Sequence, residues 1–162
     1  MNHPFRAMPA TETLASVGLA MDVAVARNIA HYGHRTARDR FDEPIVEHVE
    51  RVAAAVPGRV RSVAFLHDVL ENTDVSIEEL CAQGLTAVER EALELLTRQP
   101  GERYELYALR IAWAPGEAGA IARTIKLADI DDHIGRPSIP QDAPPYGWAR
   151  RHIAVAEERS AA

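Results

Sequence analysis

The chain has 162 residues, enough for one domain with a real core. Its composition, 47% hydrophobic and 26% charged, is that of an ordinary globular protein, and a formal net charge of −6 argues against broad binding of a nucleic-acid polymer, which needs a basic surface. Cys81 is the only cysteine, which excludes an intramolecular disulfide and a cysteine-based zinc cluster.

Breakers divide the chain into helix-length pieces, and no stretch alternates with period two between turn pairs, so the expected class is all-α. Leu14, Val17, Met21 and Val25 recur at helical spacing and predict a first helix from about Thr11 to Tyr32. This stretch, with Asp22 and Arg27 in it, lacks the unbroken apolar run of a signal peptide. No later segment approaches a membrane span, so a cytoplasmic protein without membrane contact is expected. The polar loop HRTARDRFDE leads to Pro44, where a helix opens with Ile45, Val49 and Val52 on one stripe. Pro57 and Gly58 precede a helix from about Arg59 to Glu71. Ser76 and Glu79 form a capping box for a short helix to Ala82, which Gly84 ends. Thr86 opens the next, with Val88, Ala92, Leu95 and Leu96. Pro100-Gly101 precedes one with Tyr104, Tyr107 and Ile111, and Pro115-Gly116 precedes another from about Glu117 to His133. After the irregular PSIPQDAPP, a helix from about Gly147 to Glu158 closes the chain. It packs across the bundle or makes a homodimer contact.

Metal-ligand residues occupy apolar stripes where core residues belong. His48 lies between Ile45 and Val52, His67 continues the row of Val60, Val63 and Ala64, and Asp129 follows Ile121 and Ile125, with Asp132 beyond it. Burying such groups costs several kcal/mol unless they are paired (roughly 2–7 kcal/mol for a neutral polar group). Inward His and Asp from separate helices can satisfy one another through a divalent cation, as in helical bundles. The plainer alternative makes each residue structural: hydrogen-bonded core histidines, Asp68 bonded to backbone, Asp129 paired with Lys126 or an arginine. Their number, with Asp68 adjoining His67, favours the metal. HDVLE is not a zincin motif, because no second histidine follows at the required spacing.

HYGHRTARDRFDEPIVEH, AFLHDVLENT and IKLAD, in this order, resemble the HD-domain metal-dependent phosphohydrolases. Within them they are most similar to the guanosine polyphosphate (ppGpp) 3′-pyrophosphohydrolases. The likeness spans about Ala30 to His133. It implies a single HD-domain helical bundle over residues 1–162, with its core at about 11–133 and the last helix packed on it. It also implies that His48, His67, Asp68 and Asp129 hold one divalent ion, usually manganese; the mixed N and O ligands suit Fe, Zn or Ni as well. Such an ion activates water for attack on phosphorus. Glu71 matches the family's acid/base glutamate, with hydrogen bonding to a ligand histidine as its structural alternative. Asn72 stands where the family has an aspartate and can orient water but not exchange a proton; Asp132 and His133 stand where the family has a His-Asn or Tyr-Asn pair.

Arg35 in the loop and Lys126 beside Asp129 are the expected phosphate contacts, with Asp132 also facing substrate. His31 and His34 accompany them in the loop, where Arg38 and Arg40 are expected in surface pairs with Asp39, Asp42 and Glu43. Tyr104 and Tyr107 read as core rather than as a stacking surface. The expected partner is a phosphorylated small molecule or nucleotide, and the leading function is hydrolysis of a phosphoester or pyrophosphate, (p)ppGpp first. The alternative is a non-catalytic regulatory HD module that binds metal or nucleotide, for which Asn72 speaks. A plain helical scaffold is the third reading.

Overall fold

Asp22 starts the first helix: its carboxylate accepts the N–H groups of Ala24 and Val25 at 2.8 and 3.0 Å and opens α1, Val23–Gly33. The computed structural model describes residues 20–39, 42–136 and 143–160. Residues 20–22 are not helical, so the expected start near Thr11 does not run continuously into α1, and Leu14 and Val17 lie outside the described residues. In the sequence Asp22 does not stand out as a cap, because it sits inside an apolar pattern that runs on through it.

Pro44 precedes α2, Ile45–Ala55. A 3₁₀ turn, Gly58–Val60, leads into α3, Arg61–Leu66. Here the expected single helix to Glu71 is broken. His67 and Asp68 form a turn, with Asp68 at φ −102°, ψ −4°, before α4, Val69–Asn72. The Asn72 N–H still reaches the Asp68 carbonyl at 3.1 Å, so the chain keeps its course through the turn.

Two capping boxes set the next helices, Ser76 with Glu79 for α5, Ile77–Ala82, and Thr86 with Glu89 for α6, Ala87–Leu96. Gly84 between them has φ +100°, a left-handed conformation that suits glycine. Glu89 does more than cap: buried, it also accepts the Ser62 hydroxyl at 2.8 Å and the Met21 N–H at 3.0 Å, tying the segment just before α1 and α3 to α6.

The remaining helices are α7, Tyr104–Trp113; α8, Gly116–Ile134; and α9, Tyr146–Ser160. Helix α8 packs against α2, α6, α7 and α9, while α3 packs against α1, α2 and α6. Leu66, Leu93, Ile111, Ile125, Ile130 and Ile153 are fully buried between them, each contributing about 1.5–3 kcal/mol over an exposed position. A β-carbon at Gly119 would lie 2.1 Å from the Ala114 carbonyl oxygen, so only glycine permits the tight α7–α8 junction. Buried Arg123 donates to that carbonyl at 2.7 Å and to Glu157 of α9 at 2.6 Å. The last helix thus packs across the bundle, leaving Trp113 and Val155 exposed. Among the described residues there is no strand, only an isolated bridge between Arg38 and Pro44, and no helix long and apolar enough to cross a membrane.

Candidate metal centre

α2, the turn between α3 and α4, and α8 bring His48, His67, Asp68 and Asp129 together. Nδ1 of His67 lies 2.8 Å from the Ala64 carbonyl, which can only accept, so that nitrogen carries the proton. Nδ1 of His48 lies 2.8 Å from an Asp132 carboxylate oxygen, and the same reasoning applies. In the neutral imidazoles, both Nε2 atoms are then bare lone pairs. They face carboxylates. His48 Nε2 is 3.2 Å from Asp129 Oδ1 and 3.9 Å from Asp68 Oδ2; His67 Nε2 is 3.5 Å from Asp68 Oδ1 and 3.8 Å from Asp129 Oδ1.

Acceptors converging on acceptors repel unless a positive charge lies among them. Both Nε2 atoms are buried and without a hydrogen bond among the described residues. Ligand atoms of His48, His67 and Asp68 all lie within 4.8 Å of one another, as do those of His48, Asp129 and His133. A divalent cation fits this donor set of imidazole nitrogen and carboxylate oxygen. Without one, a proton takes its place. Burial lowers the His48 pKa, but hydrogen bonds to Asp129 and Asp132 and the nearby carboxylate charges override it and raise it to about 10.

Asp129 is more enclosed than Asp68. Its Oδ2 accepts from Lys126 Nζ at 2.6 Å, and its Oδ1 lies 3.1 Å from His133 Nε2. Burial alone would raise its pKa; Lys126 and the surrounding histidines hold it well below the usual carboxylate range. Lys126, also buried, would be lowered by desolvation, but Asp129 and the tyrosines keep it well above the ordinary lysine value. Its ammonium sits 4.9 Å from the Tyr107 ring centroid and 5.5 Å from that of Tyr104. Tyr107 is core, its hydroxyl bonded to the Leu96 carbonyl, and burial pushes it up to about 12. Tyr104 is half-buried, and its hydroxyl has no partner among the described residues.

Asp132 stands behind His48, on the Nδ1 side. Arg51 Nε donates to it at 2.6 Å and fixes it there. Glu71 is exposed, and its Oε1 accepts the Arg98 N–H at 2.6 Å. Reduced contact with water raises its pKa, aided by the Asp68 charge and opposed by the Arg98 bond. Asn72 is exposed at the end of α4. Arg35 is exposed, donating to the Tyr32 carbonyl at 2.8 Å with its guanidinium 4.4 Å from that ring. Arg38 pairs with Asp42 as expected; Arg40 lies outside the described residues.

Two neighbours of the cluster were not assigned a place in it from sequence. His133 stacks on His48 at 4.8 Å and on Tyr146 at 4.9 Å between ring centroids. Its position four residues after Asp129, on the same face of α8, was the available signal. Arg51 likewise follows His48 by one turn of α2.

No family model matches the chain, and no curated protein matches it. Among solved structures, it is similar to a metazoan ortholog of SpoT that hydrolyzes ppGpp and plays a role in starvation responses. The TM-score is 0.66 at 22% identity, over 88% of this chain and 88% of that one. The chain has the all-helical HD-domain fold.

Proposed function

We propose that this chain is a metal-dependent phosphohydrolase, one HD-type domain acting on a nucleotide-like phosphoester or pyrophosphate, with the 3′-pyrophosphate of (p)ppGpp as its substrate. The observation that carries the reading is the pair of buried, unpaired Nε2 atoms of His48 and His67 facing the carboxylates of Asp68 and Asp129. The likeness in fold to a ppGpp hydrolase over 88% of both chains supports the choice of substrate.

His48, His67, Asp68 and Asp129 would hold the cation, with manganese as the favoured ion. When bound, it would supply Lewis acidity and lower the pKa of a coordinated water. The chain's own residues do the rest. Ala64 and Asp132 keep protons on Nδ1 of the two histidines and so present Nε2 inward. Asp68 has a 28% exposed side chain against 4–6% for the other ligand residues, so the cluster opens to solvent on its side. Glu71, its pKa raised, is the proton-exchanging group, and Asn72 orients water. Arg35 from the loop and Lys126 beside Asp129 offer positive charge to phosphate oxygens, and the work belongs to the cytoplasm, where nucleotides are. Hydrolysis of (p)ppGpp by manganese-loaded protein, with Zn, Fe and Ni tested in parallel, is the direct assay. Release of pyrophosphate, lost in His67→Ala, is the expected result. No release with any of the ions would count against the enzyme.

Asn72, together with the bond between Glu71 and the Arg98 N–H, favours a second reading, a regulatory HD module without turnover. In that case Asn72→Asp creates activity where none existed, whereas Glu71→Ala alters only ligand affinity. In the hydrolase, Glu71→Ala lowers kcat by about 100-fold or more.

A further inference from the structure

Three imidazole nitrogens face one carboxylate oxygen. Asp129 Oδ1 lies 3.1 Å from His133 Nε2, 3.2 Å from His48 Nε2 and 3.8 Å from His67 Nε2. Hydrogen bonding does not account for the gathering, because in the neutral rings His48 and His67 carry their protons on Nδ1 and have none at Nε2 to donate. The two shortest separations suit neighbouring ligands of one ion. Donor atoms each about 2.1 Å from a cation and about 90° apart lie about 3 Å from each other.

The centre holds two triads with ligand atoms within 4.8 Å of one another: His48, His67 and Asp68, and His48, Asp129 and His133. They cannot be two independent sites. His48 belongs to both, and with Nδ1 committed to Asp132 it has only Nε2 to give, to one ion. The triads are therefore two sides of a single centre, and His133 closes the second. Its ring is held for this. It stacks between His48 and Tyr146, the first residue of α9, at 4.8 and 4.9 Å between centroids. Its place one turn after Asp129 keeps the two on the same face of α8. Half-buried, it reaches the centre from the rim.

Building on the metal-centre reading above, we propose that His133 is a further ligand of the cation, giving Nε2 from the Asp129 side, so that three imidazoles hold the ion instead of two. A third imidazole adds more affinity for zinc or nickel than for manganese, whose preferred donors are oxygens. The other role open to the ring is a hydrogen bond from an Nε2–H to Asp129 Oδ1. The two roles differ in which nitrogen carries the proton: a ligand has it on Nδ1, a donor to Asp129 on Nε2.

The test is nitrogen NMR of the histidine side chains in wild type with and without zinc, beside competition titrations of zinc and manganese against wild type and His133→Asn. The variant keeps an N–H donor for Asp129 but has no imidazole. On loading with zinc, the expected result is that His133 joins His48 and His67 in showing a metal-shifted Nε2 and a protonated Nδ1. His133→Asn should then bind zinc more weakly by at least about tenfold, the loss that even an outer partner of a ligand produces, and lose less affinity for manganese. An Nε2–H kept by His133 in the zinc-loaded protein would overturn the proposal, as would wild-type zinc affinity in His133→Asn. Because the spectra are taken on wild type, this holds even if the variant fails to fold. Wild type that binds neither ion would overturn the metal-centre reading itself, a result distinct from both.

Discussion

His48 and His67 each commit Nδ1 to an acceptor and leave Nε2 toward carboxylates, so at this scale the centre is a problem of missing positive charge. His48 solves it with a proton when no metal is present. Its pKa of about 10 keeps it charged from pH 6 to 9. A cation must displace that proton, so binding releases about one proton per ion, and apparent affinity falls about tenfold for each pH unit lost. Calorimetry in buffers of different ionisation enthalpy measures the release directly; an enthalpy independent of buffer would contradict it. Asp132→Asn removes the carboxylate that holds the His48 Nδ1 proton and should weaken cation binding by about 10–100-fold without destroying the site. The sequence pointed to His48, His67, Asp68 and Asp129 because inward polar residues interrupt apolar stripes, and the fold brings the four side chains together. It also placed Lys126 in reach of Asp129, since three residues on a helix make neighbours. It did not reveal the role of Asp132: the contact with His48 joins α2 to α8 across 84 residues, and no local pattern encodes it.

At the scale of elements, the capping boxes at Ser76 and Thr86 were legible because both partners lie within four residues. The break at His67 and Asp68 was not, since helical spacing continues from Val63 and Ala64 to Glu71 and no glycine or proline marks a stop. Glu89 reads as a cap in sequence, yet it gathers donors from Met21, Ser62 and Thr86. Glu89→Ala leaves these buried donors without an acceptor and should cost about 3 kcal/mol, visible as a lower denaturant midpoint. A change below about 0.5 kcal/mol, typical of an ordinary surface substitution, would mean that the cluster contributes little. Gly119→Ala drives a methyl into the Ala114 carbonyl and should be similarly costly, by about 1–3 kcal/mol or more.

For the whole molecule, α8 ties the fold to the centre: it contributes Asp129 and Lys126 while packing against α2, α6, α7 and α9. The all-α class was legible from breakers and periodicity, whereas the order of packing depends on contacts far apart in sequence. Loading the centre should therefore stabilise the entire bundle, by about 2.7 kcal/mol at a cation concentration 100 times Kd. The central claim is tested most directly by the metal content of protein purified without chelator or metal-affinity columns, wild type beside His67→Ala. About one divalent ion per chain in wild type, by the coordination expected for such a site, and none in the variant is the expected result. No ion in either, even after reconstitution with manganese, zinc, iron or nickel, would contradict the metal centre and the hydrolase built on it.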